Sequence, residues 1–69
     1  MKITEIRGLS DDELKAHISD FRQELMNLRF QQSTGELTDH TRLSFTRRII
    51  ARMLTELRER ELMEMEGEG

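Results

Sequence analysis

Apolar side chains recur in the first half of the chain at Leu14, Ile18, Phe21, Leu25 and Leu28, in steps of four, three, four and three. Residues three and four apart lie over one another on an α-helix, so this spacing draws one apolar stripe down one helical face. A second stripe, Leu43, Thr46, Ile50, Met53 and Leu57, keeps the same rhythm. Gln32 ends the first stripe with a polar residue. The chain has no proline, and of its four glycines only Gly35 interrupts the middle. Two stripes of near-heptad period joined by a short Gly-containing link predict neighbours that pack antiparallel.

The start of the first helix is written in Ser10-Asp11-Asp12-Glu13. This is a capping box, in which the serine oxygen and the glutamate carboxylate satisfy each other's free backbone amides. Three acidic residues in the first turn also suit the positive end of the helix dipole. Leu9, just before the cap, is placed to staple onto Leu14. The second helix is expected to start among Thr38 to Thr41, where short polar side chains cap, although no complete capping box is present. Lys2 to Arg7, with Ile3 and Ile6, predicts a short extra turn packed across one end.

From Glu61 the pattern dissolves into ELMEMEGEG, and an acidic, glycine-ended segment of this kind is expected to fray. Leu62, Met63 and Met65 offer the alternative of prolonging the stripe. The expected fold class is therefore all-α: an antiparallel two-helix hairpin with a short N-terminal helical turn and a frayed acidic tail. Residues 1–69 form a single domain, divided into an N-terminal segment (1–9), a first helix (10–33), a turn (34–38), a second helix (39–63) and a tail (64–69).

Sixty-nine residues allow only one small core, burying about 60% of the surface that the unfolded chain exposes. Without cysteine there is no disulfide or thiolate metal site to reinforce it. No apolar run approaches the roughly 20 residues of a membrane span, and Met1 to Leu9 carries no hydrophobic signal region.

The net charge of -3 conceals a strong asymmetry. Residues 1–39 hold five basic and eight acidic side chains, residues 40–60 six and two, and residues 61–69 none and four, for nets of -3, +4 and -4. Six arginines fall between Arg42 and Arg60. Arginine's planar fork pairs with phosphate through two hydrogen bonds and stacks on bases, so a basic block of this kind suggests a nucleic-acid face. The plain alternative is a solvated helix laced with Arg and Glu pairs.

At about 100° per residue, Arg48 and Arg52 fall opposite the second stripe, Arg42 and Arg60 flank one side, and Arg47 and Arg58 the other. Phe45 and Ile49 lie off the stripe among the arginines. Two readings are open for Phe45: a stacking or apolar surface at a macromolecular interface, or packing against the N-terminal turn or the hairpin end. In the first helix Phe30 projects far from the stripe, while Asn27 and Gln31 point elsewhere again. Outward amides, guanidinium groups and aromatic rings can meet phosphates and ribose hydroxyls.

Taken in order, Glu5-Ile6-Arg7, Ser10 to Leu14, Asn27 to Gln31, Thr34-Gly35, Arg47-Arg48, Ile50-Ala51-Arg52, Thr55 and Leu57 to Arg60 resemble the bacterial large-subunit ribosomal protein of family twenty-nine. The resemblance covers nearly the whole chain. It implies a long α-hairpin bound to large-subunit ribosomal RNA near the exit of the nascent-chain tunnel, beside the ribosomal protein of family twenty-three. It also implies a cytoplasmic, ribosome-bound protein with no catalytic role. Carried over residue by residue, the implied RNA contacts are Asn27, Arg29, Phe30 and Gln31 on the first helix. On the second they are Arg47, Arg48, Arg52, Thr55 and Arg58, with Arg42 beside them. The arginines would neutralise phosphates, and Asn27 and Gln31 would bond sugar or backbone oxygens. The turn at Gly35 would gather these residues into one RNA-binding end.

The chain departs from the family in its apolar Phe45, Ile49 and Leu54, where polar or charged residues are usual, and in its acidic end, which phosphate would repel. Other chemistry finds little support. His17 and His40 are the only histidines and no cysteine accompanies them, so no metal site is expected. The carboxylates at Asp11, Asp12 and Glu13 are explained by the cap, a hairpin offers no cleft for catalysis, and there is no glycine-rich phosphate loop. No cofactor, small-molecule substrate or enzymatic activity is expected. The rival reading is a homodimeric, coiled-coil-like interaction module whose stripes pair between two chains and whose arginines face solvent.

Overall fold

The computed structural model describes residues 2–68, with side-chain surroundings given for residues 2–65. It contains α1 (Ile3–Arg7), α2 (Asp11–Thr34) and α3 (His40–Glu68). The two long helices pack against each other, and α1 packs against α3, in a rod of 52 × 19 × 15 Å. This is the expected all-α hairpin with its short N-terminal helix.

Local chemistry sets each boundary. At the start of α2 the capping box forms as expected. The Glu13 amide donates to Ser10 Oγ at 3.2 Å, and the Ser10 amide donates to Glu13 Oε1 at 3.3 Å. Leu9 packs on the cluster that contains Leu14, completing the staple. At the other end Gly35 adopts φ 80° and ψ 7°, in the left-handed region. Its amide and that of Glu36 turn back to the carbonyls of Gln32 and Gln31, at 3.3 and 2.8 Å. These are the two hydrogen bonds of a Schellman ending, which satisfies carbonyls that a helix terminus would otherwise leave open. At the start of α3 the Asp39 carboxylate accepts from the Thr41 amide at 3.0 Å and from the Thr41 hydroxyl. A single aspartate therefore caps α3 without a reciprocal box.

The core is one cluster of Ile6, Leu14, Ile18, Ile49 and Met53, with Leu9, Phe21 and Leu57 packed on its margin. Leu28 and Ile50 are also buried. Thr46, the one polar member of the second stripe, is fully buried, and its hydroxyl donates to the Arg42 carbonyl at 2.8 Å. That bond removes the cost of burying an unpartnered hydroxyl. Both apolar stripes face each other within one chain, so the seam that the dimer reading required is already occupied.

Two expectations need correction. Ile49, placed off the stripe among the arginines, is 1% exposed. α1 is responsible: Ile6 joins Ile49 and Met53 in the core, so the apolar face of α3 is wider than a two-helix seam requires. The second expectation placed the helix end at residue 63 with a frayed tail beyond, whereas α3 continues to Glu68. Glutamate, leucine and methionine all favour helix, and no proline stops it. Gly69, the last residue of the expected tail, lies outside the described residues. Leu62, Met63 and Met65 do not prolong the packed stripe either, since all three are more than half exposed.

Candidate nucleic-acid interface

The residues implied by sequence as RNA contacts are all exposed, but they fall into separate groups. Asn27, Arg29, Phe30 and Gln31 lie in the last turns of α2, beside the Gly35 turn. Phe30 is 67% exposed and Met26 64%, so neither side chain is used by the core. Below them the Ser33 and Thr34 hydroxyls donate to the carbonyls of Phe30 and Gln31, at 2.7 and 3.1 Å, and fix the backbone of this end.

Arg42 belongs to the same region. Its Nε and Nη2 both donate to Glu24 Oε1, at 2.7 and 2.6 Å, which links the first turn of α3 to α2. Its Cζ also lies 5.3 Å from the centroid of the Phe45 ring. A guanidinium at this distance from an aromatic face is in cation–π range. Phe45 is 39% exposed, with one side under Arg42 and the remainder open.

Arg48, Arg52 and Thr55 follow along α3 on the side where α1 packs. With Ile3, Ile6, Arg7 and Ala51 they line a cleft of about 280 Å³ between the two helices. Arg47 and Arg58 lie nearly in register with each other, turned about 100° from Arg48 about the helix axis. Arg58 is also some 24 Å along α3 from Arg42 at about 1.5 Å per residue. The structure therefore presents a turn-end group and an α1-flanked row, with Arg47 and Arg58 on a further face, rather than one gathered end. Thr55 donates its hydroxyl to the Ala51 carbonyl at 2.8 Å and can meet a ligand only as an acceptor.

Among the described residues only Arg42 and Arg60 have a carboxylate within ion-pair distance. Arg7, Arg47, Arg48, Arg52 and Arg58 are uncompensated there, which argues against the solvated Arg–Glu lattice. Arg60 is fully engaged. It donates to Glu56 Oε1 at 3.0 Å, Asp11 Oδ1 at 2.8 Å and the Arg7 carbonyl at 3.1 Å. The Asp11 carboxylate first, then Glu56, raises its pKa above the ordinary arginine value. Its work is structural, tying the end of α1 and the start of α2 to α3.

Sequence reasoning missed Arg7 and the cleft it borders. The signal available was the spacing of Ile3, Ile6 and Arg7, which places all three on one side of a short helix. Among the described residues no helix is long and apolar enough to cross a membrane, and no cluster of three or more His, Cys, Asp or Glu is set to hold a metal ion.

Comparison with known proteins bears on the whole chain. The profile of the family described as Ribosomal L29 protein matches residues 4–60. The large ribosomal subunit protein uL29 of Persephonella marina is 50% identical over 68 residues, covering 99% of this chain and 100% of the relative. Its counterpart in Lactobacillus delbrueckii subsp. bulgaricus is 55% identical over 62 residues, covering 90% and 95%. That of Chloroflexus aurantiacus is 47% identical over 66 residues, covering 96% and 97%.

Proposed function

The chain belongs to the ribosomal L29 protein family, and from this we propose that it is a structural constituent of the large ribosomal subunit, binding large-subunit ribosomal RNA near the tunnel exit beside the ribosomal protein of family twenty-three. It acts in the cytoplasm as part of the ribosome and carries no catalysis of its own. The observation that supports RNA binding is the set of arginines on the exposed faces of α3 that have no carboxylate partner among the described residues, a set that continues through Arg7 of α1. In a folded protein with more acidic than basic residues, leaving these guanidinium groups unpaired favours a polyanionic partner.

Their physical role is to neutralise phosphates and release counterions, which supplies affinity without sequence readout. Asn27 and Gln31, at the turn end, donate and accept hydrogen bonds and so set orientation against sugar and phosphate oxygens. Phe30 offers a flat apolar surface beside them. The acidic end of α3 faces away from the RNA.

The test is sedimentation of a cell lysate through a sucrose gradient. The protein should travel with large subunits and full ribosomes and leave them only at high salt. Protein that stays at the top of the gradient at all salt concentrations sinks the reading.

A further inference from the structure

The cleft between α1 and α3 combines features that neither the core nor a simple phosphate-binding surface requires. Its lining is apolar at Ile3, Ile6 and Ala51, yet Ile3 remains 51% exposed and Ala51 is open to solvent. Three guanidinium groups, Arg7, Arg48 and Arg52, border it without a carboxylate partner among the described residues. Two carboxylates line the same cleft: the Oε1 of Glu56 is taken by Arg60, and Glu59, exposed and without an ion-pair partner among the described residues, offsets one of the three guanidinium charges. The apolar lining favours a flat, poorly hydrated group, and the cationic border favours anions on either side of it.

Building on the RNA-binding reading above, we propose that this cleft receives one unstacked nucleotide of single-stranded RNA, its base lying on Ile3 and Ala51 and its flanking phosphates held by Arg7, Arg48 and Arg52. An arginine plane can stack on the outer face of such a base while its fork reaches a phosphate. Charge disfavours an apolar protein side chain as occupant, since the border stays positive after Glu56 and Glu59 are set against Arg7, Arg48 and Arg52. A polynucleotide carries a phosphate at every nucleotide. A duplex is a poor fit, because its bases are stacked and paired and only its phosphates could reach the border. Arg60 shapes the cleft from outside by holding the Arg7 carbonyl, so that α1 stays at its distance from α3.

The experiment uses the full chain and three fluorescent probes: a short oligoadenylate, the same strand in a duplex with oligouridylate, and large-subunit ribosomal RNA. Ala51→Phe fills the lining at a solvent-exposed helical position, and Ile3→Ala strips the apolar surface from the opposite wall at a position that is 51% exposed. Wild type should bind the oligoadenylate more tightly than the duplex. Either variant should weaken oligoadenylate binding roughly tenfold, the size of one lost stacking contact. Neither should change the duplex affinity or the salt slope, since no phosphate contact is removed. Unchanged oligoadenylate affinity in both variants overturns the proposal, as does equal weakening of single strand and duplex, or no binding of the oligoadenylate at all. In those cases salt-sensitive binding to large-subunit RNA leaves the ribosomal reading standing. Absence of that binding removes the ribosomal reading itself.

Discussion

Arg60 Nη1 donates to Asp11 Oδ1 at 2.8 Å across 49 residues of sequence, and the same guanidinium holds the last carbonyl of α1. The three helices thus meet at one side chain. Arg60→Gln keeps the length and some hydrogen bonding but loses the fork. Hydrogen exchange in this variant should accelerate across Ile3–Arg7, with α2 and the middle of α3 little changed. Equal acceleration throughout would show that Arg60 supports the whole hairpin rather than the docking of α1.

Gly35 carries φ 80°, and beyond the glycine itself and its two chain neighbours nothing lies within 4 Å of the point where a β-carbon would stand, so backbone strain governs a substitution there. Gly35→Ala should cost about 1–2 kcal/mol, the penalty for a β-carbon in the left-handed region. Gly8, at φ −81° in the ordinary helical region, is the control. Gly8→Ala should change stability by less than about 0.5 kcal/mol. Urea unfolding of both variants checks the contrast, and equal effects would refute the strain argument.

Leu14 is fully buried in a core of few residues. Leu14→Ala should cost roughly 2–5 kcal/mol in lost burial and cavity formation. A domain of this size has a total stability of only about 3–10 kcal/mol. The variant should therefore populate unfolded chain measurably at room temperature, seen as reduced helical circular dichroism. Met63→Ala, at a position 71% exposed, should be near neutral, and a large loss there would mean that the end of α3 is packed after all.

Asp39 caps α3, and its hydrogen bond from the Thr41 side chain, above all other contributions, lowers its pKa below the ordinary 3.8. A lowered folded-state value means that the unfolded chain takes up the proton first as pH falls. The stabilisation from Asp39 is thus fully present above the unfolded value and disappears as pH drops through the folded one. Thermal melts of wild type and Asp39→Asn should differ at about pH 6 and converge towards about pH 2. A constant difference across that range would remove Asp39 ionisation as the cause.

Arg48→Glu combined with Arg52→Glu removes two unpaired guanidinium groups from exposed positions. Binding to large-subunit ribosomal RNA should weaken, and the slope of log affinity against log salt should become shallower by roughly two. Helical circular dichroism should not change. Wild-type affinity in this double variant would move the interface to another face, with Arg47 and Arg58 the next to test.

What can be read from the sequence is local. The capping box at Ser10 and Glu13, the stop at Gly35 and the two stripes depend on neighbours within one or two turns, and all appear where their spacing places them. The burial of Ile49 depends instead on Ile6, a residue from the opposite end of the chain that no helical wheel displays. Arg60 stands apart from the outward arginines for the same reason, since its partners Asp11 and Arg7 approach only after folding. The cleft beside α1 is hidden because it exists between two elements and in neither alone. The end of α3 differs in another way: its acidity suggests disorder, whereas backbone preference continues the helix without packing.

That continuation gives α3 an unsupported length. With Arg60 opposite Asp11 at the first turn of α2, residues 61–68 project about 12 Å beyond it at about 1.5 Å per residue. Helix α3 is thus polarised along its length, with a net +4 over residues 40–60 and -4 over residues 61–69, while the -3 of residues 1–39 lies beside the positive block. The helix dipole of α3 adds to the negative tip. The two regions of α3 adjoin, but their centres lie roughly 22 Å apart along the helix at about 1.5 Å per residue, more than a Debye length of about 8–10 Å. Near a polyanion the rod experiences a torque before any contact forms. That torque would turn the acidic tip away from the polyanion and so narrow the orientational search that otherwise slows docking.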